Sequence, residues 1–141
     1  MKILIMGLPG SGKTHLAERL QKHLNCAWFN ADAIRSMAND WEFSDAARLR
    51  QARRMRNLAD YETFNGSTVI CDFVCPTHDT REAFRADITI YMDTIEEGRF
   101  EDTNRVFQKP DPKFVTLWIY KFIDDAGIED LAYWLQENYN V

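Results

Sequence analysis

The residues best equipped for chemistry come early in the chain. "GLPGSGKT" (residues 7–14) follows the apolar run "KILIM" and keeps the spacing G-x-x-x-x-G-K-[ST]. Gly7, Gly10 and Gly12 permit positive φ and let main-chain N–H groups approach phosphate oxygens closely. Leu8, Pro9 and Ser11 complete the loop that those groups line. Lys13 offers a cation to the β- and γ-phosphates, and the Thr14 hydroxyl offers a ligand to Mg²⁺. A helix opening near Lys13 turns its positive end toward the same oxygens. The expected ligands are therefore ATP and Mg²⁺. A Gly/Pro turn beside a surface lysine is the plain alternative, and the strand–loop–helix register argues against it.

Two acids stand where strands end. Asp32 follows the short strand candidate "AWFN" (27–30), and Asp72 lies within "STVICDF" (67–73). Asp32 is expected to accept the proton of an attacking hydroxyl and to help order Mg²⁺ and its waters. Capping a short helix would equally explain an aspartate there. An acid after "VIC" reads as a second Mg²⁺-ordering group, so Lys13, Asp32 and Asp72 form the expected catalytic set, with Thr14, Asp32 and Asp72 as metal ligands. Arg35 and Arg48 carry guanidinium forks that match tetrahedral anions. Phe43 is expected to stack on a base or else to fill the core. Arg48, Arg50, Arg53, Arg54 and Arg56 cannot all face one pocket at 3.6 residues per turn, and Arg50, Arg53 and Arg54 read as a solvated helix face.

The elements that must hold these groups alternate β and α. The first strand covers Lys2 to Leu8, and a helix with Leu16, Leu20 and Leu24 in register follows. "ADAIRSM" is a brief helical turn opening at Asp32. A long helix runs from a cap at Ser44 or Asp45 to Asn65-Gly66. "THDTREAFR" is a short helix, "DITIYMD" (87–93) a strand and "FVTLWIYKF" (114–122) the last strand. "GIEDLAYWLQENY" closes the chain as a helix with Ile128, Leu131, Ala132 and Leu135 on one face. Five strands separated by helices predict an α/β, three-layer P-loop NTPase fold, a parallel sheet flanked by helices and joined by right-handed crossovers. Residues 94–113 lack periodicity and are expected to be a lid, with Arg99, Arg105 and Lys109 as its cations.

Composition sets the outer limits. The 141 residues predict a single kinase domain, 1–141. Hydrophobic residues make up 45% and charged residues 28%, which excludes a disordered chain. A net charge of −5 disfavours a broad nucleic-acid footprint without removing a local basic groove. The sequence has no apolar run of membrane-spanning length and no leader-type segment ahead of the first strand, so a cytoplasmic protein is expected. Cys26, Cys71 and Cys75 lack zinc-like spacing and read as packed thiols; His15, His23 and His78 read as surface or capping residues. The N-K-x-D and D-x-x-G signatures of a GTPase are missing, and a small kinase suits the length.

"FNADAIRSMANDWEFSDAARLRQARRMR" resembles the acceptor-binding stretch of the adenylylsulfate kinases, which use ATP and Mg²⁺ to phosphorylate the 3′-hydroxyl of adenosine 5′-phosphosulfate. Asp32 and Arg35 match that family's D-x-x-R pair, Asn39, Phe43 and Ser44 its N…F-S element, and Arg48 the arginine that follows. In "DFVCPTHDTR", Phe73, Pro76 and Arg81 keep the spacing of its F-I-S-P loop and downstream arginine. The resemblance covers about residues 1–95. It implies an acceptor site built from Asp32, Arg35, Phe43, Arg48, Gln51, Phe73, Val74, Cys75 and Arg81, and it is compatible with a homodimer. The chain departs from the pattern at Asp72, at Cys75 in place of the loop serine, at Gln51 in place of an asparagine, and in the lid, where the family's K-G-L-Y-type sequence is replaced by "DTIEEGRFEDTNRVF". Other acceptors therefore stay open: a different nucleoside, nucleotide or nucleic-acid hydroxyl. So does a module that binds ATP without turnover.

Overall fold

Ile3, Leu4, Ile5 and Met6 are all buried, as a strand covered on both faces requires. They form β1 (Lys2–Met6) of the computed structural model, which describes all 141 residues. The chain continues through α1 (Lys13–Leu24), β2 (Ala27–Asn30), α2 (Ala31–Ala38), α3 (Asp45–Phe64) and β3 (Val69–Asp72). It then forms α4 (His78–Phe84), β4 (Ile88–Met92), α5 (Glu101–Val106), β5 (Leu117–Ile119) and α6 (Asp125–Asn138). The five strands are parallel and lie in the order β2-β3-β1-β4-β5.

Alternation along the strands divides the core in two. Leu4, Met6, Val69 and Cys71 face one layer, where Ala52, Met55 and Ala59 of α3 and Phe84 of α4 meet them. Ile3, Ile5, Ile70, Ile88 and Ile90 face the other, against Leu16 and Leu20 of α1 and Ile128 and Leu135 of α6. The α3 stripe is built largely of alanines, which bring that helix close to the sheet. Its cap is Ser44, whose Oγ accepts from the Ala47 N–H at 3.2 Å.

Three elements differ from the sequence expectation. Helix α2 is a full eight residues, and its cap is Asn30, whose Oδ1 accepts from the Ala33 N–H at 3.0 Å; Asp32 does not cap it. The segment 94–113 is not wholly irregular, because α5 and a 3₁₀ turn at Pro112–Phe114 lie within it. The last strand is three residues rather than nine. As the sheet's edge it pairs only with β4, and Pro112 starts a turn just before it. No helix is long and apolar enough to cross a membrane.

Candidate active site

The loop between β1 and α1 is shaped by its glycines. Gly7 has φ +153°, and a Cβ there would stand 2.7 Å from the Met92 carbonyl oxygen. Gly12 has φ +97° and is the residue at which α1 begins. The Ser11 side chain is fully buried and its hydroxyl has no hydrogen-bond partner within the protein. The Ser11 carbonyl accepts from Thr94 Oγ1 at 2.7 Å, which ties the loop to the segment after β4. Lys13 Nζ folds back to donate to the Leu8 carbonyl at 2.9 Å. Burial lowers the Lys13 ammonium to about 8, while the charges of Asp72 and Asp32 work against that shift. A half-buried cation, an orphaned hydroxyl and a turn of positive-φ glycines at a helix N-terminus together fit a polyphosphate.

Asp72 is the hub beside this loop. It is 1% exposed, and its Oδ2 accepts from Thr14 Oγ1 at 2.8 Å. Its Oδ1 accepts from Trp28 Nε1 at 2.8 Å, and Asn30 Nδ2 donates to both oxygens at 3.2 Å. Register places these partners: Asn30 on β2 lies opposite Asp72 on β3. The sequence reading found Thr14 and Asp72 but missed Trp28 and Asn30. The Asn30 signal was present, as an asparagine one residue ahead of a helix, whereas the Trp28 contact depends on strand order and is invisible in a linear chain. The chain has no cluster of three or more His, Cys, Asp or Glu side chains that would cage a metal. The Thr14 hydroxyl and Asp72 carboxylate are hard oxygen donors, and they suit Mg²⁺, which ordinarily keeps several waters and substrate phosphate oxygens.

Across from Thr14 and Asp72, α2 and α3 present the second group of residues. Asp32 is exposed on the first turn of α2, and its charge acts on both Lys13 and Arg35. Arg35 and Arg48 are 5% and 8% exposed, yet neither has a carboxylate partner. Arg35 donates to the carbonyls of Asp40 and Glu42, each at 3.0 Å. Arg48 donates to the Phe43 carbonyl at 2.9 Å and to Thr103 Oγ1 of α5 at 3.5 Å. Burial lowers the affinity of both guanidinium groups for their proton, the direction expected of cations removed from water. Phe43 is no core residue: it is half exposed, with the Arg35 and Arg48 guanidinium carbons 4.5 and 5.4 Å from its ring centroid.

Several expected site residues serve the scaffold. Gln51 is buried, donates to the Ala31 carbonyl and accepts from Arg54, and so ties α3 to α2. Arg50 and Arg54 both pair with Asp40; Arg50 and Arg53 are exposed, in keeping with a solvated helix face, whereas Arg54 is half-buried. Phe73 is buried edge-on against Phe84 with ring centroids 5.4 Å apart. Val74 is half-buried beside it, and Cys75 is buried with φ +46°, its thiol pushed by burial to about 12. Arg81 donates to the carbonyls of Cys75, Pro76 and Gln108, joining the loop after β3 to the segment before β5.

Of the cations expected in a lid, Arg99 lies near enough to Lys13 for its charge to lower that ammonium further. Arg105 instead pairs with Asp102 on its own helix, and Lys109 sits 3.7 Å from Asp93 at the end of β4. The segment 94–113 reaches the cradle at Gly98, where a Cβ would lie 3.1 Å from the Pro9 carbonyl oxygen. Asn104 holds that turn by bonding both the N–H and the carbonyl of Gly98, at 2.8 and 2.9 Å.

A five-stranded parallel sheet with a lysine-bearing phosphate loop after its central strand, and an acid on the adjacent strand bonded to the loop threonine, is the architecture of the P-loop kinases. Solved structures agree on the fold. An adenylylsulfate kinase of Mycobacterium tuberculosis in complex with AMPPNP and APS superposes with TM-score 0.74 at 19% identity, over 96% of this chain and 95% of that one. A sugar kinase from Janibacter sp. HTCC2649 superposes with TM-score 0.75 at 18% identity, over 96% and 94%. In sequence, the bifunctional enzyme NodQ of Azospirillum brasilense is 36% identical over 116 residues, 73% of this chain and 19% of that protein. The chain spans less than half the length of the other curated relatives it matches, which carry the name adenylyl-sulfate kinase. The sequence profile of the adenylylsulphate kinase family matches residues 1–115, and the chain belongs to that family, whose members are phosphotransferases with an alcohol acceptor.

Proposed function

We propose that this protein transfers the γ-phosphoryl group of ATP to a hydroxyl of a small anionic nucleotide, with the 3′-hydroxyl of adenosine 5′-phosphosulfate as the acceptor. Support for the donor half comes from Lys13, Thr14 and Asp72, which face one another across the cradle. Mg²⁺, held by Thr14 and Asp72, would neutralise charge on the β- and γ-phosphate oxygens. Lys13 exchanges its bond to the Leu8 carbonyl for one to the phosphates, and Arg99 adds a second cation from the lid side.

The acceptor half rests on one observation above all: Arg35 and Arg48 are buried guanidinium groups with no carboxylate in salt-bridge contact, their hydrogen bonds going to carbonyls and a hydroxyl. Unpaired buried charge is costly, and an anionic ligand between them supplies the missing counter-charge. Phe43, held by both cations and still half open, offers a face to the acceptor's adenine. Asp32 is the base. Asp72 already accepts from three side chains, whereas Asp32 is exposed beside Lys13 and Arg35. As the acceptor oxygen bonds to the γ-phosphorus and the bond to the β–γ bridging oxygen breaks, the hydroxyl proton passes to Asp32 and ADP leaves.

The test is a transfer screen with γ-labelled ATP over adenosine 5′-phosphosulfate, other anionic nucleotides, neutral nucleosides, a sugar acid and a short oligonucleotide. Label on anionic nucleotides, strongest on adenosine 5′-phosphosulfate, is the expected result. Preference for a neutral nucleoside would remove the acceptor assignment. ATP binding with no transfer to any compound would make this a nucleotide-binding module.

A further inference from the structure

Strand order divides the site into two ends. The acids and unpaired arginines belong to β2, β3, α2 and α3, on one side of the cradle that follows β1. With the acceptor there, the nucleoside of a bound triphosphate must leave the cradle over β4 and β5. The side chain waiting on that side is Phe122, in the turn between β5 and α6. Its Cδ1 and Cε1 lie 3.1 Å from where a Cβ on Gly12 would stand, so the ring rests edge-on against the glycine that opens α1. Even so, Phe122 is 62% exposed.

A lone exposed phenylalanine is ordinary. This one is braced on the phosphate loop, two residues beyond Tyr120, which is itself exposed and stacked on Trp118 with centroids 5.9 Å apart. The acids nearest in sequence are already engaged. Asp124 caps α6 by accepting from the Gly127 N–H at 2.8 Å, and Asp125 pairs with Arg19 at 2.8 Å. Besides the exposed Lys121 ammonium, what this turn presents is the aromatic face of Phe122.

We infer that Phe122 is the platform on which the donor's base stacks, and that donor choice rests on stacking, so purine triphosphates other than ATP are accepted. This rests on the kinase reading above. Stacking is tolerant of base identity because every base presents a π-face.

The experiment measures binding to the full chain by calorimetry, with Mg²⁺ present, for ATP, GTP and inorganic tripolyphosphate, which carries no base. Wild type is expected to bind ATP and GTP within about tenfold of each other. Phe122→Ala should weaken both by about tenfold or more and leave tripolyphosphate unchanged, and Phe122→Trp should restore them. Unchanged ATP binding by Phe122→Ala overturns the inference. So does a parallel loss of tripolyphosphate, which would make the ring a prop for the cradle. GTP binding weaker than ATP by about a hundredfold or more would overturn the stacking-based selectivity. In all three cases the kinase reading survives. If wild type binds neither ATP nor tripolyphosphate, both readings fall together.

Discussion

The indole N–H of Trp28 donates to Oδ1 of Asp72 at 2.8 Å, leaving Oδ2 to the Thr14 hydroxyl at the same distance. One carboxylate is thus aimed by a neighbouring strand and presented to the phosphate loop. Trp28 touches no ligand in this arrangement, so it is a positioning residue. Trp28→Phe keeps the ring and deletes the donor. The Mg²⁺ concentration needed for half-maximal rate is expected to rise roughly tenfold, as loss of an outer partner of a metal ligand usually requires, with kcat at saturating Mg²⁺ close to wild type. A fall in kcat that added Mg²⁺ does not repair would mean that the indole supports the fold instead.

Asp32 and Asp72 should separate by experiment. Asp32→Asn is expected to bind ATP as wild type does and to lose about 10²- to 10⁴-fold in turnover, the usual worth of a general base. Asp72→Asn should lose Mg²⁺-dependent ATP binding as well. Binding by calorimetry and turnover by label transfer check the pair. Full-rate Asp32→Asn would remove the base from the mechanism.

Lys13 gives a pH signature. Its ammonium sits at about 8 in the folded protein, below the 10.5 of a free lysine, because burial disfavours the charge. Its proton is therefore lost from the free cradle as pH rises through about 8, and a polyanion draws it back. ATP binding at about pH 8.5 is expected to take up most of one proton, seen as a dependence of calorimetric heat on the buffer's ionisation enthalpy. Lys13→Arg, which stays charged, should abolish that uptake, and Lys13→Ala should abolish phosphoryl transfer. The same shift bears on folding: a lysine with a lowered folded-state value costs stability at neutral pH, and the cost fades as pH climbs from about 8 toward 10.5.

The unpaired arginines predict a split between binding and stability. Arg35→Met removes a buried charge that no carboxylate directly contacts, so the thermal midpoint should move by less than about 4 °C. The acceptor KM should rise about tenfold or more, because the fork that grips the anion is gone. A large loss of stability with an unchanged acceptor KM would assign Arg35 to holding the Asp40 and Glu42 carbonyls alone.

The phosphate loop and β1 were legible because their signals are local: an apolar run, three glycines at fixed offsets, then a helix. The five-strand parallel sheet followed from alternating β and α segments. Other features depend on register and strand order. Trp28 and Asn30 meet Asp72 only because β2 pairs with β3. Gln51 and Arg81 carry polar side chains of the kind that bind ligands, yet both donate to main-chain carbonyls brought near by folding. Helix α5 escaped notice since its six residues, "EDTNRV", bury Thr103 alone and show no apolar period.

We propose above all that Asp32, with the guanidinium groups of Arg35 and Arg48, directs ATP's terminal phosphoryl group onto a nucleotide alcohol. Following γ-labelled ATP with adenosine 5′-phosphosulfate in the presence of Mg²⁺ tests this most directly. The label should move to the 3′-oxygen of the acceptor with wild type and stay on ATP with Lys13→Ala. Label that remains on ATP with wild type, or emerges only as inorganic phosphate, would contradict it.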